Sequence, residues 1–361
     1  MPVDTVDVPV ARPYPVVVGS GLDLGAVVSD ELEPGPCVIF TDSTVGPLYA
    51  SRVSDALEDA GWRVVGGIEV PSGESSKSMQ VYADAVQRLA RTGLTRDGTV
   101  FALGGGVVGD LGGFVAGTYM RGIDLVMLPA SLLAMVDSAV GGKVGLDLPE
   151  GKNLVGAFVR PRLVVANLDW LATLPAGEIS NGLAETVKMG LLSGGDYFAD
   201  LSLLPAARVG DLDALQTLVL YSIRFKARVV SEDELEGGLR AILNYGHTVG
   251  HALEAAANYN LPHGSAVACG MVAEAGLSRD RFGTDLVGVH EDLLAAAGLP
   301  RRVPGLDVDR TLDAMGADKK RKSSDGPAGY RFVLLEDVGK PVRNVPVSEE
   351  DARRAIGAIV D

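Results

Sequence analysis

Short β-rich apolar runs alternate with helical stretches over the first 170 residues, a pattern that admits little besides βαβ units on a largely parallel sheet. Residues 3–10 alternate like an edge strand, and 16–18 continue in the same style. Residues 37–40 read as a buried strand ending at Thr41-Asp42-Ser43, where Asp42 or Ser43 can cap a helix running to residue 60. The next strand is expected over 62–70 and an amphipathic helix over 78–94. A further strand, 100–103, runs into Gly104-Gly105-Gly106. Beyond Leu168 the character changes: 178–192, 211–230, 248–257 and 266–281 read as helices, and 330–335 is the one late strand candidate. The charged segment 318–326 reads as a loop. The expectation is an α/β dinucleotide-binding domain over 1–170 and a mainly helical metal- and substrate-binding domain over 171–361, in line with ~150 residues per domain.

Charge narrows the partners. With 32 basic and 47 acidic residues the net charge is −15, which repels nucleic acid and anionic membrane surfaces, so a small-molecule partner is expected. No run of ~18 apolar residues suggests a membrane span, and residues 1–10 lack the basic start and apolar core of a signal peptide. Cys37 and Cys269, each in an apolar run and outside any CxxC spacing, fit a reducing cytoplasm.

Gly104, Gly106 and Gly109 satisfy GxGxxG between an expected strand and an expected helix, where a pyrophosphate can approach backbone and helix N-terminus. The pattern alone is weak, since a tight turn in a chain with 46 glycines would look the same. Asp124, twenty residues past Gly104, begins a strand instead of ending one; Asp42, at the end of the 37–40 strand, is the better ribose partner.

Three of the four histidines, His247, His251 and His263, fall within seventeen residues. His247 and His251 share a face if a helix begins at or before His247, whereas His263 is expected in a Pro-His-Gly loop. Thr248 stands where a zincin would have Glu, which disfavours a metalloprotease. Two histidines and a carboxylate, with a position left for substrate, would form a catalytic metal site. Core or capping histidines are the bland alternative. The candidate carboxylate is Glu185, at i, i+3 from Lys188 on an apolar-flanked helix. Elsewhere such a pair is often only a surface ion pair.

Two glycine-flanked lysine stretches, 135–143 and 151–158, carry Lys143, Lys152 and Asn153 and suit an anionic ligand, although neither is a P-loop. They read as loops, with apolar neighbours that fully solvated loops rarely carry.

Together, and in this order, residues 12–21, 73–77, 104–110, the lysine stretches, 185–188, 239–247, His263-Gly264 and 318–320 resemble the 3-dehydroquinate synthase family of sugar-phosphate cyclases over nearly the whole chain. The resemblance implies cyclisation of 3-deoxy-D-arabino-heptulosonate 7-phosphate to 3-dehydroquinate with loss of phosphate, a step of the shikimate pathway. It also implies a bound NAD that is reduced and regenerated, one divalent metal (zinc or cobalt), and a homodimer. The metal ligands it implies are Glu185, His247 and His263. Its cofactor contacts map to Asp42, Ser72, Gly73, Glu74, Lys77, Gly105, Gly106, Gly109, Asp110, Ala130, Ser131, Lys143, Lys152, Leu171 and Thr173. Its substrate and catalytic groups map to Asp137, Lys143, Asn153, Lys188, Lys226, Arg240, Asn244, His251 and Lys319 or Lys320, with Arg121 reaching across the dimer. The chain departs from the family in Ala130-Ser131, where two threonines are common, and in Ser265, where a glutamate commonly follows His-Gly. A sister cyclase of the amino-dehydroquinate type and a metal-dependent alcohol or glycerol dehydrogenase are the competing readings.

Overall fold

A computed structural model describes residues 2–316 and 329–360. The chain divides into two compact units, Met1–Leu174 with Lys226–Leu235, and Pro175–Phe225 with Glu236–Asp361. A single boundary at 170 does not anticipate the return of 226–235 to the first unit.

The first unit is built on a seven-stranded sheet in the order β1-β2-β9-β6-β5-β3-β4. Its strands are β1 (Asp4–Val8), β2 (Tyr14–Gly19), β3 (Pro36–Asp42), β4 (Arg63–Val70), β5 (Thr99–Gly104), β6 (Asp124–Pro129) and β9 (Leu163–Asn167). Only β1 and β2 pair antiparallel; the other neighbours are parallel. Helices α1 (Leu24–Ser29), α2 (Gly46–Asp59), α3 (Met79–Arg91) and α4 (Gly106–Thr118) connect them. Parallel strands covered on both faces must be apolar throughout, and β5 is buried along its whole length. On one face Cys37, Ile39, Phe101, Leu103, Val126 and Val165 pack with Val28, Tyr49, Val53 and Leu57.

Strand order reverses between β3 and β5, so the crevice beyond their carboxyl ends is where such sheets take ligands. Asp42 ends β3 and Gly104 ends β5. The expected cap needs correction: α2 starts at Gly46 with no side-chain cap, and Asp42 Oδ1 instead accepts the N–H groups of Thr44 and Val45 at 2.8 and 2.9 Å. The two lysine stretches are also not loops. The second is strand β8 (Gly151–Phe158), paired antiparallel with β7 (Lys143–Leu148), whereas the first is a π-helical turn, Ala134–Ser138, and a short connection that gives only Lys143 to the hairpin.

The second unit is mainly helical, with α5 (Ala176–Ser193), α6 (Gly195–Asp200), α7 (Leu204–Arg208), α9 (His247–Ala256), α10 (His263–Phe282), α11 (Val287–Ala296), α12 (Val308–Gly316) and α13 (Glu349–Val360). Helix α8 (Leu212–Glu232) begins here and ends in the first unit. The late strand, β10 (Tyr330–Asp337), does not stand alone: it pairs antiparallel with β11 (Lys340–Val347), which the sequence reading missed. His263 is likewise not in a loop but is the first residue of α10.

Candidate metal and dinucleotide site

In the first unit, β5 runs into Gly105, and α4 starts at Gly106 with no side-chain cap, which leaves its first N–H groups to a ligand. Side chains cannot be added cheaply at this turn: a Cβ on Gly104 would lie 2.5 Å from Val108, and one on Gly106 would lie 3.1 Å from Ser138 Oγ. Ser131 Oγ faces the same turn, 3.4 Å from a Cβ built on Gly105. Gly109, the third glycine of the fingerprint, is not the packing glycine, since its Cβ would make only ordinary contact with Met127 at 3.8 Å. Close helix–sheet approach is enforced further on, where a Cβ on Gly112 would lie 2.9 Å from Phe40 and one on Gly113 2.5 Å from Val144.

Around Lys77 a charged cluster ties the 73–78 turn to the β7–β8 hairpin. Lys77 Nζ lies 2.8 Å from Asp110 Oδ2, 3.7 Å from Glu74 Oε1 and 3.8 Å from Asp147 Oδ1, and it donates to Asn153 Oδ1 at 2.6 Å. Lys152 Nζ approaches Glu74 Oε1 at 3.3 Å. Asp147, absent from the sequence reading, accepts the N–H of Asn153 at 2.7 Å and gives its own N–H to the Lys77 carbonyl at 2.7 Å. Asn153, in a left-handed conformation at φ 53°, is thus tied to Lys77 and Asp147. Burial opposes charge here. It would raise Glu74, but Lys77 and Lys152 outweigh it and hold that carboxyl low, whereas for Asp110 burial prevails over Lys77 and raises it.

Other expected residues fall in defined places in this unit. Ser72 N–H donates to Ser43 Oγ at 3.1 Å, and Gly73 adopts φ 99°. Leu171 and Thr173 belong to a 3₁₀ turn, Leu168–Thr173, in which Thr173 Oγ1 lies 2.6 Å from Tyr49 Oη. Ala130 donates its N–H to the Gly104 carbonyl at 2.8 Å. Asp137 sits in a π-helical turn, Ala134–Ser138, and Lys143 is exposed at the start of β7. Arg121 is exposed in a strained corner, with Met120, Arg121 and Gly122 all at positive φ.

In the second unit Glu185 lies on α5 with no solvent exposure. Its Oε1 is 3.5 Å from His247 Nε2 and 3.6 Å from His263 Nε2, and Lys188 one turn on forms an ion pair with Oε2. Each histidine opens a helix, and the two helices pack backbone to backbone: a Cβ on Gly270 would lie 2.0 Å from the Gly246 carbonyl, and one on Gly250 3.2 Å from Val267. The imidazole centroids of His247 and His263 are 5.3 Å apart. The ligand atoms of Glu185, His247 and His263 lie within 4.8 Å of one another. Neither oxygen of Glu185 has a hydrogen bond of normal geometry, although both are buried. A carboxylate so placed beside two imidazole nitrogens suits a divalent ion.

For Glu185 and His247 the electrostatics agree with that donor set. Burial would raise the Glu185 carboxyl, but Lys188 and His263 overcome it and hold it at about 2. Burial, Lys188 and the neighbouring histidines push His247 well below its usual range, leaving the neutral ring a metal requires. His263 runs the other way: although opposed by burial, it is raised to about 9 by Glu185 and Glu254, so its ring is protonated at neutral pH and an ion bound there would have to displace that proton. Glu254, which the sequence reading missed, approaches His263 Nδ1 at 3.5 Å and is the kind of outer carboxylate that orients a ligating imidazole. It sits at i, i+7 from His247 and i, i+3 from His251, a spacing that could have exposed it.

His251 lies beside both rings, with centroids 5.2 Å from His247 and 6.2 Å from His263. Arg240 is buried in a 3₁₀ turn, Leu239–Asn244, whose last residue, Asn244, donates to Glu236 Oε1 at 3.5 Å. Lys319 and Lys320, and the 318–326 segment, lie outside the described residues.

Comparison with known proteins decides the family. The chain matches the model of the 3-dehydroquinate synthase N-terminal region over residues 67–181 and of its C-terminal region over 182–321. The chain belongs to the 3-dehydroquinate synthase family. The 3-dehydroquinate synthase of Symbiobacterium thermophilum is 46% identical over 355 residues, 96% of this chain and 98% of the relative. That of Acidithiobacillus ferrooxidans is 43% identical over 339 residues, 92% of this chain and 91% of the relative. Among solved structures, 2-deoxy-scyllo-inosose synthase complexed with carbaglucose-6-phosphate, NAD+ and Co2+ aligns with a TM-score of 0.91 at 28% identity, covering 99% of this chain and 100% of the other. The 2-epi-5-epi-valiolone synthase of Streptomyces hygroscopicus with NAD+ and Zn2+ bound aligns with a TM-score of 0.86 at 26% identity, covering 96% of each chain. The chain is thus an enzyme of the 3-dehydroquinate synthase-like cyclases, with the α/β and helical parts expected of that family. No helix among the described residues is long and apolar enough to cross a membrane.

Proposed function

We propose that this chain is a 3-dehydroquinate synthase that converts 3-deoxy-D-arabino-heptulosonate 7-phosphate to 3-dehydroquinate and phosphate, using NAD and one divalent metal. The observation that carries the chemistry is the buried Glu185 carboxylate facing Nε2 of both His247 and His263. The choice of substrate within the cyclases rests on the 43–46% identity to 3-dehydroquinate synthases against 26–28% to the sister cyclases.

Bound, the ion supplies Lewis acidity and the nicotinamide supplies reversible hydride transfer. Glu185, His247 and His263 would hold the ion and leave a coordination position for substrate oxygens. His251, beside them on α9, is assigned to proton transfer or phosphate binding, and Lys188 offers a fixed positive charge. The Gly104–Gly106 turn and the N-terminus of α4 would take the pyrophosphate, with Asp42 toward a ribose. Lys77 and Lys152, held by Glu74, Asp110 and Asp147, would fix the 73–78 turn against the cofactor. Arg240, Asn244, Lys143, Lys226 and Asp137 are assigned to the sugar phosphate. Cationic donors of this kind allow a chain of net charge −15 to bind a polyanion. The two cysteines are unpaired and buried, in keeping with a cytoplasmic enzyme. A homodimer to which Arg121 contributes completes the reading.

The test is phosphate release from the heptulosonate phosphate, with and without NAD and a chelator, while absorbance at 340 nm is followed. Release that needs both NAD and metal, with no net NADH, is expected. Stoichiometric NADH would point to a dehydrogenase, and phosphate release only from another sugar phosphate to a sister cyclase. Sedimentation at micromolar concentration checks the dimer.

A further inference from the structure

We propose that Glu274 and His290, two buried groups with no place in the reaction outlined above, are positioning residues that hold the Tyr245–Gly246 turn and so aim His247 Nε2. The proposal rests on the reading of Glu185, His247 and His263 as metal ligands.

The turn is an unusual place to begin a helix. Gly246, directly ahead of His247, is left-handed at φ 77° and ψ −18°, and a Cβ there would lie 2.6 Å from Met271 and 3.0 Å from the Val267 carbonyl. Its N–H points at α10 and donates to Glu274 Oε2 at 2.6 Å. Glu274 has no solvent exposure, and every other buried residue of α10 is apolar, glycine or serine. A carboxylate is expensive to bury, and its bond to a backbone N–H is of the strong, charge-assisted kind. The Gly246 N–H gives that acid a defined partner.

The second hold is on Tyr245. Its hydroxyl lies 2.8 Å from His290 Nε2, and His290 Nδ1 lies 2.7 Å from the Leu286 carbonyl. A carbonyl can only accept, so the proton of His290 is on Nδ1, its Nε2 accepts, and the Tyr245 hydroxyl donates. Burial pushes His290 down to about 4, so the ring is neutral and this arrangement persists at neutral pH. The Tyr245 carbonyl, 3.1 Å from His247 Nδ1, fixes the proton of that ring on Nδ1 and leaves Nε2 as the bare nitrogen facing Glu185. Each proton from the Leu286 carbonyl to the ligand nitrogen is therefore assigned, with the tyrosine ring anchored on one side and the following peptide on the other.

Wild-type protein, Glu274→Ala, Glu274→Gln and Tyr245→Phe would each be stripped of metal and titrated with Co2+, with its visible bands recorded and affinity measured by competition against a chelator. Glu274→Ala should bind about 10- to 100-fold more weakly, with shifted bands. Glu274→Gln, whose amide oxygen can still accept from Gly246, should return to near wild-type affinity. Tyr245→Phe should weaken binding by up to about tenfold, as the loss of one buried hydrogen bond allows. Wild-type bands and affinity in folded Glu274→Ala would overturn the proposal, as would a Glu274→Gln variant no better than alanine. If Glu274→Ala does not fold, Tyr245→Phe decides, and unchanged bands and affinity there would overturn it. Failure of the wild type to bind Co2+ would instead remove the ligand assignment itself, and the proposal with it.

Discussion

Lys226 holds Asp137 at two points, donating to its backbone carbonyl at 2.6 Å and to its carboxylate at 2.7 Å. The π-helical turn around Asp137 is thereby fixed at one end, and the Tyr14 hydroxyl, which accepts the Gly141 N–H at 2.9 Å, fixes the chain shortly before Lys143. Lys226→Met should keep the fold yet lower turnover roughly 10- to 150-fold, the equivalent of ~1.5–3 kcal/mol for a hydrogen bond to a charged group. Steady-state phosphate release measures this, and an unchanged kcat would contradict the clamp.

His263→Ala removes one of the three proposed ligands while leaving Glu254 and the packing of α10 in place. Metal content by atomic absorption should fall from one ion per chain to near zero, with the far-ultraviolet circular dichroism unchanged. A stoichiometric ion in this variant would show the ligand assignment to be wrong.

His251→Ala should behave differently. With Glu185, His247 and His263 as the proposed ligands, a fourth would close the position left for substrate. Metal should therefore be retained while turnover drops about 100- to 10,000-fold, the usual contribution of general acid–base assistance. Loss of metal would mean that His251 is itself a ligand.

Gly106→Val places a branched side chain against Ser138 Oγ, which a Cβ alone already approaches to 3.1 Å, and in the path expected for the pyrophosphate. NAD affinity by calorimetry should fall at least about tenfold, the scale of a single blocked phosphate contact. Equal affinity would sink this placement of the dinucleotide.

His290 should make stability pH-dependent. Its ring titrates from an ordinary 6.5 down to about 4 on burial, so the unfolded chain binds the extra proton first as pH falls. The contribution is fully present above pH 6.5 and is lost progressively between 6.5 and about 4. Between pH 7.5 and pH 5 the wild type should lose about 2 kcal/mol more than His290→Gln, as read from denaturant midpoints. Equal losses would show that the ring is not buried as a neutral base.

Sequence pattern revealed β3 and β5 because each carries an unbroken apolar run, while β9 (Leu163–Asn167) was not picked out. It failed where glycine and proline hide a strand. In the β7–β8 hairpin Gly145 faces Gly156, and a Cβ on either would lie 2.7 or 2.5 Å from the opposite backbone, so residues that look like loop punctuation are what let the strands meet. Likewise β11 carries Pro341 and Pro346, which a two-stranded hairpin tolerates on an edge. The grouping of Glu185, His247 and His263 was legible from residue chemistry and clustering. Glu254, Glu274 and Asp147 were not, because a buried acid announces itself only through the neighbour that it serves.

The close approach of Gly270 to the Gly246 carbonyl bears on how the centre is held together. In a small zinc-dependent domain the ion gathers its ligands from a disordered chain and folding waits for it. Here His247 and His263 are brought together by two helices whose backbones already touch. Helix packing, rather than an ion, is then what places these two side chains, and exchanging one divalent species for another is expected to leave the helices where they are.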